Sequence, residues 1–129
     1  MKNKKRILAI IPARSGSKGL INKNIKIFNR RPLIYWTIKS AINSKFIEKC
    51  FVSTDSKKIS KLSIKYGANC EFLRPKQISG DNSKIASAIL DVLKKFKNKY
   101  DIIILLQPTS PLRVTKDIDD AIKIFLRKN

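Results

Sequence analysis

Residues 13 to 24, Ala-Arg-Ser-Gly-Ser-Lys-Gly-Leu-Ile-Asn-Lys-Asn, carry the most informative chemistry in the chain. Arg14, Lys18 and Lys23 can set three cationic heads around one concave loop, and Gly16 and Gly19 let the backbone come close to a ligand. A triphosphate suits that set. The order is neither the G-x-x-x-x-G-K-[ST] of a Walker A loop nor the G-x-G-x-x-G of a dinucleotide site. By spacing alone, the plainer reading of a basic loop between a strand and a helix stands beside the phosphate reading.

Three further segments offer polar groups where an apolar run ends. Gln107-Pro108-Thr109-Ser110-Pro111-Leu112-Arg113 is stiffened by two prolines and presents donors and acceptors; its plain reading is a rigid turn before a helix. Val52-Ser53-Thr54-Asp55 closes another run, with Asp55 better placed as a helix cap than as a metal ligand. Leu73-Arg74-Pro75 leads into Ser79-Gly80-Asp81-Asn82-Ser83, a stretch of hydrogen-bonding residues whose plain reading is a solvated connection.

The elements that must position these segments follow from periodicity. Ile7 to Ile11, closed by Pro12, Cys50 to Val52 and Ile102 to Leu106 are continuous apolar runs, as expected of strands covered on both faces of a parallel sheet. Asn69 to Phe72 reads as a further short strand. Between them lie amphipathic helices. The first opens with Pro32 and carries Leu33, Ile34, Ile38, Ala41 and Ile42. Asp55 or Ser56 caps a second, with Ile59, Leu62, Ile64 and Tyr66, that stops at Gly67. Asp81 or Asn82 caps a third, with Ile85, Ala88, Ile89, Val92, Leu93 and Phe96, and Thr115 caps a fourth with Ile118, Ala121, Ile122 and Phe125. The order βαβαβαβα implies a mostly parallel sheet in a three-layer α/β/α sandwich, with ligands at the carboxyl ends of the strands.

The 129 residues make one domain, large enough to bury a core without disulfides or metals, and 43% of them are hydrophobic, which excludes intrinsic disorder. No apolar run approaches the ~20 residues of a membrane span, and the basic start lacks a signal-peptide cleavage pattern. Cys50 and Cys70 are expected as buried thiols in a reducing compartment, the cytoplasm, and the lack of His argues against zinc. The net charge of +20 suits any polyanion, but it comes from 22 Lys and only 7 Arg, whereas base reading and bidentate phosphate contacts favour Arg. With 21 Ile and 9 Asn, the bias looks like that of an AT-rich genome, and nucleic acid is not the expected partner.

These loops occur together and in order. With IIPARSGSKGLINKNIK at 10 to 26, PLIYWTIKSAINS at 32 to 44, VSTDS at 52 to 56, LRP at 73 to 75, SGDNS at 79 to 83 and LLQPTSPLR at 105 to 113, the chain resembles the N-terminal part of the acylneuraminate cytidylyltransferases, or CMP-sialic acid synthetases. The resemblance implies a Rossmann-like nucleotidyltransferase fold, of the nucleotide-diphospho-sugar transferase type. It also implies an enzyme that joins CTP to a nine-carbon 2-keto sugar acid for cell-surface glycans, releasing pyrophosphate with the help of Mg²⁺. By similarity, Arg14 and Lys23 would hold the triphosphate and serve catalysis, with Ser17 and Lys18 completing the loop and Asn24 bonding the nucleotide. Arg74, with Asp81 and Ser83, would lie beside the cytidine, and Gln107 would face the junction of nucleotide and sugar.

Two departures mark the chain. Ile21 and Ile85 stand where relatives often have Pro and Ser, and Ser83 would substitute in part for the latter. The Asp-x-Asp that holds Mg²⁺ in the family has no counterpart up to Asn129, nor have the dimerisation insert and most of the sugar pocket. The expectation is therefore that residues 1 to 129 are the nucleotide-binding part of a longer homodimeric enzyme and lack full activity alone. Asp117 and Asp119 would diverge by about 200° on a helix, so with Asp120 they read as helix N-terminal charges. The nearest alternatives are transfer to pseudaminic, legionaminic or 3-deoxy-octulosonic acid, the last disfavoured by Ser17-Lys18-Gly19-Leu20. An alternative of another class is a basic nucleotide- or RNA-binding module without catalysis.

Overall fold

Five strands and four helices follow one another in the computed structural model, which describes residues 5–13, 27–74, 85–97, 99–108 and 114–128. They are β1 (Ile7–Pro12), β2 (Ile27–Phe28), β3 (Arg31–Pro32), α1 (Leu33–Ile42), β4 (Lys49–Ser53), α2 (Lys57–Lys65), α3 (Ile85–Phe96), β5 (Ile102–Leu105) and α4 (Thr115–Lys128). The main sheet has the order β4-β1-β5 and is parallel throughout, with Ala9 opposite both Cys50 and Ile104. The central place of β1 explains its composition. Ile7 to Ile11 are buried, because helices cover both faces of the sheet and strands flank both edges of β1.

The pleat divides the core in two. Ile7, Ala9, Ile11 and Val52 turn to one face and pack with Ile34 and Ile38 of α1, Ile59 of α2, and Ile118 and Ile122 of α4. Leu8, Ile10 and Phe51 turn to the other, against Val92 of α3 and a ring of Phe72, Phe96 and Tyr100. Phe51 meets Phe96 edge-on at 5.4 Å between ring centres. The expected three-layer α/β/α architecture is present.

Several local expectations are revised. Pro32 is not the first helical residue. It ends β3, pairs with Ile27, and precedes α1 as its N-cap without a side-chain hydrogen bond. The β2–β3 hairpin itself was not foreseen from periodicity, since two residues per strand are too few to show alternation. Its turn, Asn29-Arg30, has positive φ at both positions, as a two-residue I′ hairpin requires. Trp36 Nε1 donates to the Phe28 carbonyl at 2.9 Å and ties the hairpin to α1. Asn69 to Phe72 makes only a single parallel bridge, Asn69 to Phe51. Of the two candidates for capping α2, Ser56 does so, accepting from the Ile59 N–H at 3.2 Å. Thr115 is helical rather than a cap, and its hydroxyl donates to the Ser40 carbonyl at 2.9 Å. On α2, Ile64 faces solvent and Ser63 takes the buried position.

Gly67 ends α2 as expected, and the geometry shows why. Its φ is +102°, its N–H donates to the Ile64 carbonyl, and the Ala68 N–H reaches back to Ser63, the paired bonds of a Schellman stop. A Cβ here would come within 2.8 Å of Ile42 Cδ1 as well as strain the backbone. Gly67→Ala should therefore cost about 1–2 kcal/mol, read as a lower melting temperature with an unchanged far-UV spectrum.

The cysteines differ from each other. Cys50 is buried in β4, and burial pushes its thiol up to about 12. Cys70 is only half-buried, because the chain leaves β4 after the Asn69 bridge; burial still raises its thiol, against a hydrogen bond with Ser60 that lowers it. A thiolate-seeking reagent at pH 8 should label Cys70 in the native protein and Cys50 only on unfolding, and equal rates for both would contradict this placement.

Candidate functional site

Three strand ends converge at the carboxyl edge of the main sheet. β1 stops at Pro12, and Ala13, buried, is the last described residue before the basic loop. β4 stops at Ser53, and Ser53 and Thr54 are buried despite their hydroxyls. β5 passes into Leu106, Gln107 and Pro108 on the far side of β1. An edge of parallel strands whose connections leave in different directions is where α/β sheets take their ligands.

One buried cation holds this edge together. Arg74 is only 6% exposed, and its guanidinium lies on the end of β4. Nε donates to Ser53 Oγ at 3.1 Å and Nη2 to the Ser53 carbonyl at 2.9 Å. The same carbonyl accepts the Ala13 N–H at 2.8 Å, and the Arg74 N–H donates to the Thr54 carbonyl at 2.7 Å. The Thr54 hydroxyl then accepts the Ser56 N–H at 3.1 Å, which leads into α2. Arg74 thus joins the end of β1, the end of β4, and the segment that enters residues 75 to 84. A buried guanidinium is tolerable only when its donors are used in this way.

On the other flank, the Leu106 N–H donates to the Ile10 carbonyl at 3.0 Å and carries the parallel ladder one residue past β5. That bond delivers Gln107, partly exposed, and Pro108, buried, beside the end of β1. The structure therefore brings Arg74 and Gln107 to the two flanks of the strand from which the cationic loop springs. Arg14, Ser17, Lys18, Lys23, Asn24, Asp81 and Ser83 lie outside the described residues.

Ser53 and Thr54 were missed as site residues, although two small hydroxyl residues closing an apolar strand are a legible signal for a polar junction. Asp55 attracted more notice in the sequence, yet Ser56 is the cap. The acidic residues of α4 form no metal pair. Asp119 accepts from the Ser44 hydroxyl and the Lys45 N–H, Asp120 pairs with Lys116 at 2.8 Å, and Asp117 stands exposed in the first turn. Among the described residues, no three His, Cys, Asp or Glu side chains come together in a group that could hold a metal.

The arrangement predicts a graded response at Arg74. Arg74→Met should cost about 1–3 kcal/mol, because Ser53 Oγ is left buried without its donor. Arg74→Lys should recover only part of this, since an ammonium cannot reproduce the two-point contact with Ser53. Thermal denaturation of the three proteins checks the order.

Comparison with known proteins bears on this edge. The sequence family described as Cytidylyltransferase matches residues 8–129. A CMP-N,N'-diacetyllegionaminic acid synthase of Legionella pneumophila is 43% identical over 122 residues, covering 92% of this chain and 53% of its own. An N-acylneuraminate cytidylyltransferase of Escherichia coli is 41% identical over 120 residues, covering 93% and 28%. The chain thus spans about half the length of the first of these relatives and less of the second. Among solved structures, a CMP:2-keto-3-deoxy-manno-octonic acid synthetase complexed with CTP superposes with a TM-score of 0.81 over 96% of this chain and 48% of its own, at 21% identity, a likeness of fold. A cytidylyltransferase of Leptospira borgpetersenii gives a TM-score of 0.76 at 25% identity, over 95% and 50%. With its parallel sheet, its polar carboxyl edge and a sequence match over nearly its whole length, the chain belongs to the cytidylyltransferase family.

Proposed function

We propose that this chain is the nucleotide-binding part of a CMP-sugar synthetase. In that reaction the anomeric hydroxyl of a nine-carbon 2-keto sugar acid of the sialic acid type attacks the α-phosphorus of CTP, forming CMP-sugar and releasing pyrophosphate. The observation that supports this reading best is the family match over 8–129 together with the meeting of Ala13, Ser53 and Arg74 at one end of the sheet, with Gln107 on the other flank of β1. Little covalent chemistry is asked of the protein, so rate comes from aligning two anions and offsetting charge on the phosphates and the leaving group.

Arg14 and Lys23 are assigned to the triphosphate, with Ser17, Lys18 and Asn24 completing the nucleotide contacts. Gln107 is assigned to the junction of nucleotide and sugar, and Asp81 and Ser83 to the cytidine. Arg74 contributes by holding the junction at Ser53 from which these loops depart. Mg²⁺ would neutralise phosphate charge in such a reaction; the described residues form no cluster of three or more ligating side chains for it. The sugar is a nine-carbon keto acid; the choice between N-acylneuraminic, legionaminic and pseudaminic acids lies with the sugar pocket. No helix among the described residues is long and apolar enough to cross a membrane. We place the enzyme in the cytoplasm, where two free thiols stay reduced, and, by the family resemblance, its whole form in a homodimer.

Calorimetric titration tests the assignment. CTP with Mg²⁺ should bind at least about tenfold more tightly than ATP, and Arg14→Ala or Lys23→Ala should each weaken CTP by about 1.5–3 kcal/mol, as loss of a charge-assisted contact does. Equal affinity for the two nucleotides, with binding that collapses as salt rises and is indifferent to both substitutions, would instead identify a general polyanion-binding module.

A further inference from the structure

Charge is spread unevenly over the elements. α4 mixes four cations, Lys116, Lys123, Arg127 and Lys128, with three carboxylates, Asp117, Asp119 and Asp120. The β2–β3 hairpin, α1 and α2 instead carry seven cations, Arg30, Arg31, Lys39, Lys57, Lys58, Lys61 and Lys65, and no carboxylate. The nearest acids along the chain, Glu48 and Asp55, lie outside these elements. A general bias toward Lys accounts for the number of cations but not for the removal of acids from one set of neighbours.

Contacts join the three elements into one surface. Trp36 of α1 holds the Phe28 carbonyl of the hairpin, and the Arg31 guanidinium stands 5.0 Å from the centre of the Tyr35 ring. The Lys39 ammonium lies 5.8 Å from the same ring, and Tyr35 meets Tyr66, at the end of α2, edge-on at 4.9 Å. On α2, Ile59 and Ser63 turn to the core and leave Lys57, Lys58, Lys61 and Lys65 in solvent. Apolar groups stand among these cations. Ile27 is 64% exposed and Phe28 38% on the hairpin, and Ile42 is 41% exposed at the end of α1. Cations on long stems, Trp and Tyr with one polar end, and protruding Ile and Phe are together the composition of a surface that rests on a bilayer interface.

The alternative polyanion, a single-stranded nucleic acid, fits the same surface less well. It would stack its bases on open ring faces, but Tyr35 is covered by Arg31 and packed against Trp36 and Tyr66. Five of the seven cations are Lys, which act as point charges and suit a diffuse negative surface better than two-point phosphate contacts. An exposed Ile adds nothing to phosphate binding, whereas it gains on entering the acyl boundary. We propose that the face formed by the β2–β3 hairpin, α1 and α2 docks on an anionic lipid bilayer, with Ile27 and Phe28 inserted and the α2 lysines over the headgroups.

Vesicle co-sedimentation tests this, using the intact chain without nucleotide. Vesicles of phosphatidylcholine and phosphatidylserine in equal amounts should bind at least about tenfold more tightly than phosphatidylcholine alone. Trp36, the only tryptophan in the chain, reports on the hairpin, and lipids brominated in the acyl chains should quench its emission. Lys58→Glu, Lys61→Glu and Lys65→Glu together should weaken binding about a hundredfold or more, and the same three changed to Gln by less. Lys123→Glu, Arg127→Glu and Lys128→Glu make the same change of net charge on α4 and should leave affinity within about fivefold. Ile27→Ser with Phe28→Ser, both on exposed side chains, should cost about tenfold and remove the quenching. The proposal is overturned if binding needs no phosphatidylserine, if the two sets of reversals weaken it equally, or if Trp36 is not quenched. Binding of polyuridylate through the α2 lysines, with vesicles left unbound, would overturn it in favour of nucleic acid. No arm contains CTP, so the outcome is separate from that of the nucleotide titration.

Discussion

Everything described depends on β1 being enclosed. A strand flanked by β4 and β5 and covered by helices on both faces has no water to satisfy its backbone, so both of its edges must be paired and every side chain from Ile7 to Ile11 must be apolar. That requirement fixes the parallel register on each side. It also forces the polar chemistry to the strand ends, since a phosphate-binding group within β1 would be buried without a partner. The cationic loop begins where this enclosure ends, one residue after Pro12.

The same constraint accounts for Arg74. At the carboxyl edge the ladder between β1 and β4 runs out, leaving the Ser53 carbonyl with capacity to spare and the Ser53 hydroxyl buried. Arg74 fills both needs and, through its own N–H, holds the Thr54 carbonyl. A group that looks like a substrate-binding cation in the sequence is, in the fold, turned onto the protein itself. Its contribution to a bound nucleotide would then be the fixed position of the loops on either side. β5 presents the opposite case, a strand with interior composition and one edge without a partner among the described residues, beside a helix whose Phe125 is half exposed.

Long, strongly patterned elements were legible in the sequence. β1, β4 and β5 appear within a residue or two of their apolar runs, and α1, α2 and α4 start within a residue of where their helical periodicity and caps put them, because burial on a face imposes a period that composition displays. The β2–β3 hairpin was not legible, since two-residue strands carry no period, and the Asn29-Arg30 turn lacks the glycine that usually announces an I′ turn. Asn69 to Phe72 failed as a strand for a different reason. Its alternation is real, but beyond one bridge to Phe51 the backbone turns away and its Phe72 ring packs on Phe96 instead. In the candidate site, the types of the functional residues were legible, and the internal use of Arg74 and the part played by Ser53 and Thr54 were not.

By itself the sequence determined the fold class, the polar character of the loops and the family motifs, all of which are local patterns or ordered lists of residue types. Closure of the sheet fixed the rest: Arg74 bonds Ser53, 21 residues away, Asp119 holds the turn at Ser44, and β5 pairs with β1 alone among the described residues. Those outcomes depend on which donor meets which acceptor once the sheet has closed. That is a matter of distance in space, which separation along the chain does not encode.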